Sequence, residues 1–101
     1  MNTLITGATK GMGKATALEM ARNNHSLALC ARNQNELDSL QEELFAINPK
    51  INILTVKTDC SVKQEVIAFA DKAIAHFKTI DVLVNNVGMF SPSKILEEKD
   101  D

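Results

Sequence analysis

The segment Thr6-Gly7-Ala8-Thr9-Lys10-Gly11-Met12-Gly13 concentrates three of the chain's four glycines directly behind a short apolar run. Glycines in that order, leading into a helical pattern, suit one kind of chemistry. A helix N-terminus offers unpaired backbone N–H groups and a partial positive charge, which favours a phosphate or pyrophosphate. Gly7 permits the tight turn, Gly11 lets the backbone approach a phosphate closely, and Gly13 lets the helix pack against the sheet. Glycines that merely close a strand–helix turn are the plainer reading. Three of them between a clear strand and a clear helix favour the anion site. Other polar residues stand just past apolar runs in the same way: Arg32 after Ser26 to Ala31, Asp59 and Cys60 after Ile51 to Thr58, and Asn85-Asn86-Val87-Gly88 at the end of Ile80 to Asn85.

Other chemistries find little support. His25 and His76 have no Cys or carboxylate at ligand spacing, so both read as surface histidines and no metal site is expected. Cys30 and Cys60 are too few for a disulfide framework and read as small thiols at the ends of neighbouring strands. The 101 residues are 45% hydrophobic and 24% charged, with a net charge of −2. That is an ordinary globular balance, with no charge run to suggest a nucleic-acid or membrane patch. The one acidic cluster, Glu97, Glu98, Asp100 and Asp101, reads as a solvated helix start or terminus. Met1 is not followed by a basic segment and a long apolar core, so the expectation is a cytoplasmic protein.

The elements that must position these residues follow from periodicity. Asn2 to Thr6 is read as a strand and Gly11 to about Asn24 as a helix, with Ala15, Leu18, Met20 and Ala21 as its apolar face. Ser26 to Ala31 is a buried strand. Asn33 with Glu36 has capping-box spacing, and Leu37, Leu40, Leu44 and Ile47 form a helical stripe that ends before Pro49. A third strand runs from Ile51 to Thr58. Ser61 with Gln64 predicts a second capping box, followed by a stripe of Val62, Val66, Phe69, Ala73, Ile74 and Phe77. Ile80 to Asn85 is the fourth strand. A Ser/Pro-containing loop follows Gly88, and Lys94 to Asp101 reads as the start of another helix. Strand–helix alternation of this kind predicts a parallel α/β sheet in the order 3-2-1-4, with right-handed crossovers and helices on both faces.

With the motifs in these places, the chain resembles the short-chain dehydrogenases/reductases. Thr6-Gly7 through Gly13 matches their T-G-x-x-x-G-x-G, Asn85 to Gly88 resembles their N-N-A-G, and Asp59 matches their adenine-binding acid. The resemblance covers essentially the whole chain and is greatest to the bacterial 3-oxoacyl-carrier-protein reductase type. It implies a Rossmann-type doubly wound sheet. It also implies that Gly7, Thr9, Lys10 and Met12 line the ribose and pyrophosphate of a dinucleotide. Asp59 and the backbone of Cys60 would hold the adenine, and Asn86 and Gly88 would flank the adenosine ribose, with Asn85 bracing the sheet. Met12 and Val87 depart from the family's usual Ile and Ala. The implied partner is a small carbonyl or alcohol substrate, and the implied whole protein is a homo-oligomer.

Cofactor choice has a physical argument. An acid ending the second strand binds a ribose 2′-OH and repels a 2′-phosphate. Here that place holds Cys30-Ala31, followed by Arg32, with Lys10 in the glycine turn. Two cations and no acid predict NADP in preference to NAD. The family's chemistry further needs a Tyr, a Lys four residues after it and a Ser, yet the chain contains no tyrosine. The expectation is therefore that residues 1–101 are the N-terminal, cofactor-binding part of a single domain, with an open fourth-strand edge and no catalytic residue of its own. The alternative is a non-catalytic NADP(H)-binding sensor or degenerate homologue. A Ser/Tyr/Lys set elsewhere in the gene would discriminate the two.

Overall fold

Strand and helix alternate along the computed structural model, which describes residues 1–86. The order is β1 (Asn2–Thr6), α1 (Gly11–Arg22), β2 (Ser26–Ala31), α2 (Gln34–Ile47), β3 (Ile53–Lys57), α3 (Lys63–Phe77) and β4 (Val82–Asn85). The four strands form one parallel sheet in the order β3-β2-β1-β4. This is the expected doubly wound arrangement. Gly88 and the segment Lys94 to Asp101 lie outside the described residues.

Both faces of the sheet are covered, which explains why its strands carry apolar residues without polar alternation. Ile5, Leu27, Leu29 and Ile53 face α1 and α2, meeting Ala17 and Ala21 of the first and Leu37, Leu40 and Leu44 of the second. The alternate positions Leu4, Ala28 and Cys30 face α3, where Phe69 and Ala73 cover them.

Four details differ from the sequence reading. The buried stripe of α1 is Gly13, Ala17 and Ala21, while Ala15 is exposed. Small residues four apart let the helix lie close to the strands, and Leu18 and Met20 flank that seam. The third strand starts at Ile53, because Asn52 gives its N–H to Ser26 Oγ at 3.0 Å; Ile51, outside the strand, is still buried. The fourth starts at Val82 rather than Ile80, after Asp81 has accepted the Asn2 N–H at 2.8 Å. The second capping box does not form. The N-cap of α3 is Val62, which is 40% exposed and lies outside the apolar stripe, whereas Ala70 lies within it. Ser61 instead donates its hydroxyl (2.6 Å) and its N–H (3.0 Å) to Asp59 Oδ1, and Glu65 reaches back to the Asp59 N–H at 2.9 Å.

Candidate functional site

Among the described residues, those expected to hold the cofactor stand at or beyond the carboxyl ends of strands. The connection leaving β1 crosses to one side of the sheet and β4 adds on the other, so the chain reverses direction beside β1. Open α/β sheets bind ligands in the crevice at such a reversal.

The glycine turn is built as its composition demands. Gly7 (φ 60°) and Gly11 (φ 54°) both occupy left-handed backbone, where a side chain is strained. Gly13 has a different reason. A Cβ there would overlap the Gly7 carbonyl oxygen and stand 3.1 Å from Asn86 Nδ2. The turn is tethered to the next strand by the Ala8 N–H, which donates to the Cys30 carbonyl at 3.0 Å. The N-cap of α1, Lys10, makes no side-chain capping bond, and the first turn carries no acid. The positive end of the helix is thus left without an internal counter-charge.

Gly7, Thr9, Lys10, Arg32, Asp59 and Cys60 converge on one cavity of about 500 Å³. They come from the turns after β1, β2 and β3, so three separate sequence segments meet there. Of the other expected site residues, Gly11, Met12, Gly13 and Asn86 do not line this cavity. Met12 is 79% exposed at the start of α1. Asn86 spends its side chain as a latch: Nδ2 donates to the Thr6 carbonyl at 3.0 Å, while its backbone N–H donates to Thr6 Oγ1 at 3.1 Å. Thr6 Oγ1 donates in turn to Asn85 Oδ1 at 2.9 Å, so this trio ties the end of β4 to β1.

Two residues missed from the sequence complete the rim. Glu36 was read as part of a capping box, and half of that box exists, since Asn33 Oδ1 accepts the Glu36 N–H at 3.1 Å. The Glu36 carboxylate, however, turns into the site. It accepts the Thr9 hydroxyl at 3.1 Å and stands 3.9 Å from Lys10 Nζ. Ser61 also lines the cavity, beside Asp59. The available signal for Glu36 was its place one turn into the helix that follows the second strand, close to the expected ribose.

The charges are balanced and loosely held. Arg32 Nε lies 3.7 Å from Asp59 Oδ1, with the Arg32 side chain 77% exposed. Exposed pairs at these distances contribute little energy, so both cations remain available to an incoming anion. The Ser61 hydroxyl, its N–H and the nearby Arg32 hold the Asp59 carboxyl below its ordinary value. Cys60 Sγ lies 3.6 Å from Cys30 Sγ. His25 and His76 lie elsewhere, bonded to Thr3 and Asn52 near the amino ends of strands. Among the described residues no group of His, Cys, Asp and Glu could hold a metal ion, and no helix is long and apolar enough to cross a membrane.

Known proteins share this fold. The family described as short chain dehydrogenase matches residues 1–101. An NADPH-dependent pterin aldehyde reductase of Arabidopsis thaliana is 38% identical over 95 residues, which are 93% of this chain and 38% of that protein. The crystal structure of an NADPH-dependent reductase involved in bacilysin biosynthesis superposes with a TM-score of 0.82 at 28% identity, over 90% of this chain and 38% of the other. NAD⁺-bound xylitol dehydrogenase superposes with a TM-score of 0.75 at 27% identity, over 81% of this chain and 31% of the other. The chain thus spans roughly a third of the length of the proteins it matches.

Proposed function

The chain belongs to the short-chain dehydrogenase family, and we propose that it supplies the dinucleotide-binding part of an NADP(H)-dependent oxidoreductase interconverting a carbonyl compound and an alcohol. The observation that carries this reading is the convergence of Lys10 and Arg32 on one cavity beside the uncapped start of α1, with Ala31 where an acid would select NAD. NADPH-dependent relatives support it, while the NAD⁺-bound xylitol dehydrogenase is a similar structure that holds NAD instead.

The residues present fit such a group. Gly7 and Gly11 leave backbone free of side chains where a pyrophosphate would approach, and the first N–H groups of α1 would donate to it. Arg32 and Lys10 would hold a 2′-phosphate, with Lys10 exchanging Glu36 for the phosphate. Asp59 and the Cys60 backbone would bound the adenine. Nicotinamide supplies the hydride when bound, and these residues orient the dinucleotide. The general acid belongs to the Tyr, Lys and Ser that the family uses, which we place in the remainder of the protein. The relatives act on compounds as different as a pterin aldehyde and xylitol, so the reading stays at carbonyl/alcohol chemistry. A cytoplasmic homo-oligomer is part of the same proposal.

The test is a cofactor-fluorescence titration of the 101-residue chain. Arg32→Ala is expected to lose about 1–3 kcal/mol of NADPH affinity, the range for a charge-assisted contact, with NADH binding barely changed. Equal losses for both cofactors would refute the 2′-phosphate assignment.

A further inference from the structure

Cys30 and Cys60 are thirty positions apart, yet their sulfurs lie 3.6 Å from each other. The fold alone creates this proximity. Cys30 sits on β2 facing α3, and the turn after β3 brings Cys60 back over it. Their environments are unequal. Cys30 is fully buried, whereas Cys60 is half-buried and lines the cavity between the glycine turn and Arg32. A small oxidant in the cavity meets Cys60 first, with Cys30 directly behind it.

We propose that Cys60 and Cys30 form an oxidation site, in which a peroxide entering the cavity converts the dithiol to an internal disulfide and reshapes the pocket.

The electrostatics support this division of roles. The Cys30 thiol donates to the Cys60 sulfur, and the Gly7 N–H adds a second donor, bringing Cys60 down to about 7 against the opposing carboxylates of Asp59 and Glu65. Cys30 is pushed the other way, first because it is that donor and then because it is buried. The thiolate is the nucleophile in thiol chemistry, so Cys60 attacks and Cys30 resolves. The Cys60 thiolate attacks one peroxide oxygen, the O–O bond breaks, and the departing hydroxide takes up a proton to become water. Cys60 is then a sulfenic acid. The Cys30 sulfur attacks the Cys60 sulfur, the S–O bond breaks, and hydroxide leaves with the Cys30 proton as a second water. Two thiols lose two electrons in total, and the peroxide gains them.

The consequence is geometric. A disulfide requires about 2.05 Å between sulfurs, so the pair must close by roughly 1.5 Å from its present 3.6 Å. Cys60 lies between Asp59 and Ser61, whose mutual hydrogen bonds shape the far wall of the cavity. Cys30 holds the glycine turn through its carbonyl. Closure therefore draws together the two walls of the cavity. That NADPH is the ligand this excludes rests on the function proposed above.

The test treats the reduced 101-residue chain with equimolar hydrogen peroxide and follows free thiols, intact mass, peptide maps and NADPH binding. Supporting results are loss of both thiols with loss of two hydrogens, a Cys30–Cys60 cross-linked peptide, and NADPH binding that disappears and returns with dithiothreitol. Cys30→Ala should leave a Cys60 sulfenic acid trapped by dimedone. The milder Cys60→Ser, at a half-buried position, should leave Cys30 unreacted. Two free thiols after treatment, disulfides only between chains, or reaction of Cys30 in Cys60→Ser would overturn the oxidation site. An internal disulfide that leaves NADPH binding intact would overturn the reshaping of the pocket. An internal disulfide in a chain that binds no NADPH even when reduced would sustain the site and refute the proposed function instead.

Discussion

Gly13→Ala isolates the close approach on which the whole glycine turn depends. The new Cβ would overlap the Gly7 carbonyl oxygen and come within 3.0 Å of the Gly7 carbonyl carbon. Both atoms are backbone, so no side chain can rotate away and the start of α1 must lift from β1. Overpacking of a tight site costs about 1–3 kcal/mol, and an unyielding backbone neighbour puts this case near about 3 kcal/mol. Alanine returns about 1 kcal/mol through its better helix propensity, leaving a net loss of about 2 kcal/mol. With a urea slope of about 1.5 kcal/mol per molar for a small domain, the unfolding midpoint should fall by roughly 1.3 M. The assay is urea denaturation of the 101-residue chain followed by far-ultraviolet circular dichroism. Gly11→Ala is the internal comparison: its Cβ meets nothing within 4 Å, and only the positive φ opposes it. Its loss should be about 1 kcal/mol, from left-handed strain alone. A Gly13→Ala chain as stable as the parent, or one less affected than Gly11→Ala, would refute the argument that contact with Gly7 sets the helix position.

Three further outcomes are expected. Glu36→Gln removes the carboxylate 3.9 Å from Lys10 Nζ, so NADPH should bind more tightly relative to NADH by fluorescence titration; an unchanged ratio would mean that Lys10 does not meet the 2′-phosphate. Asp59→Asn should weaken NADPH and NADH by similar factors, since adenine is common to both. Because the folded carboxyl is held below 3.8, its stabilising share is present above that pH and lost as pH falls through the lower folded value. The stability gap between parent and Asp59→Asn should therefore close on acidification, and a gap that persists in strong acid would count against the Ser61 bonds as its source. Alkylation of Cys60 by iodoacetamide should rise with pH around a midpoint near 7. In Cys30→Ala, which loses the principal donor, the midpoint should move up toward 9.0; an unmoved midpoint would show that Cys30 does not stabilise the thiolate.

Local pattern alone determined much of this molecule. The alternation of apolar runs and helical stripes, the α2 start at Asn33 and the distinct tasks of Gly7 and Gly13 are all encoded within a few residues of where they act. Periodicity and turn stereochemistry are short-range properties, so a linear reading reaches them. The strand order followed as well, because parallel crossovers of one hand leave few alternatives. Tertiary structure decided whatever depends on distance through space. Ala17 rather than Ala15 lies against the sheet because the close seam selects small residues at one helix phase. Asp59, bonded by Ser61 and Glu65, organises the start of α3 in place of a Ser61–Gln64 box, because the turn after β3 brings the Asp59 carboxylate and N–H within their reach. Glu36 leaves its capping role because Thr9 and Lys10, 27 and 26 positions away, arrive beside it with a hydroxyl and a positive charge. Cys30 and Cys60 were legible as thiols ending neighbouring strands, but their 3.6 Å contact arises only when the chain returns from β3 over β2, since side chains this far apart meet through the register of the strands and not through any local signal.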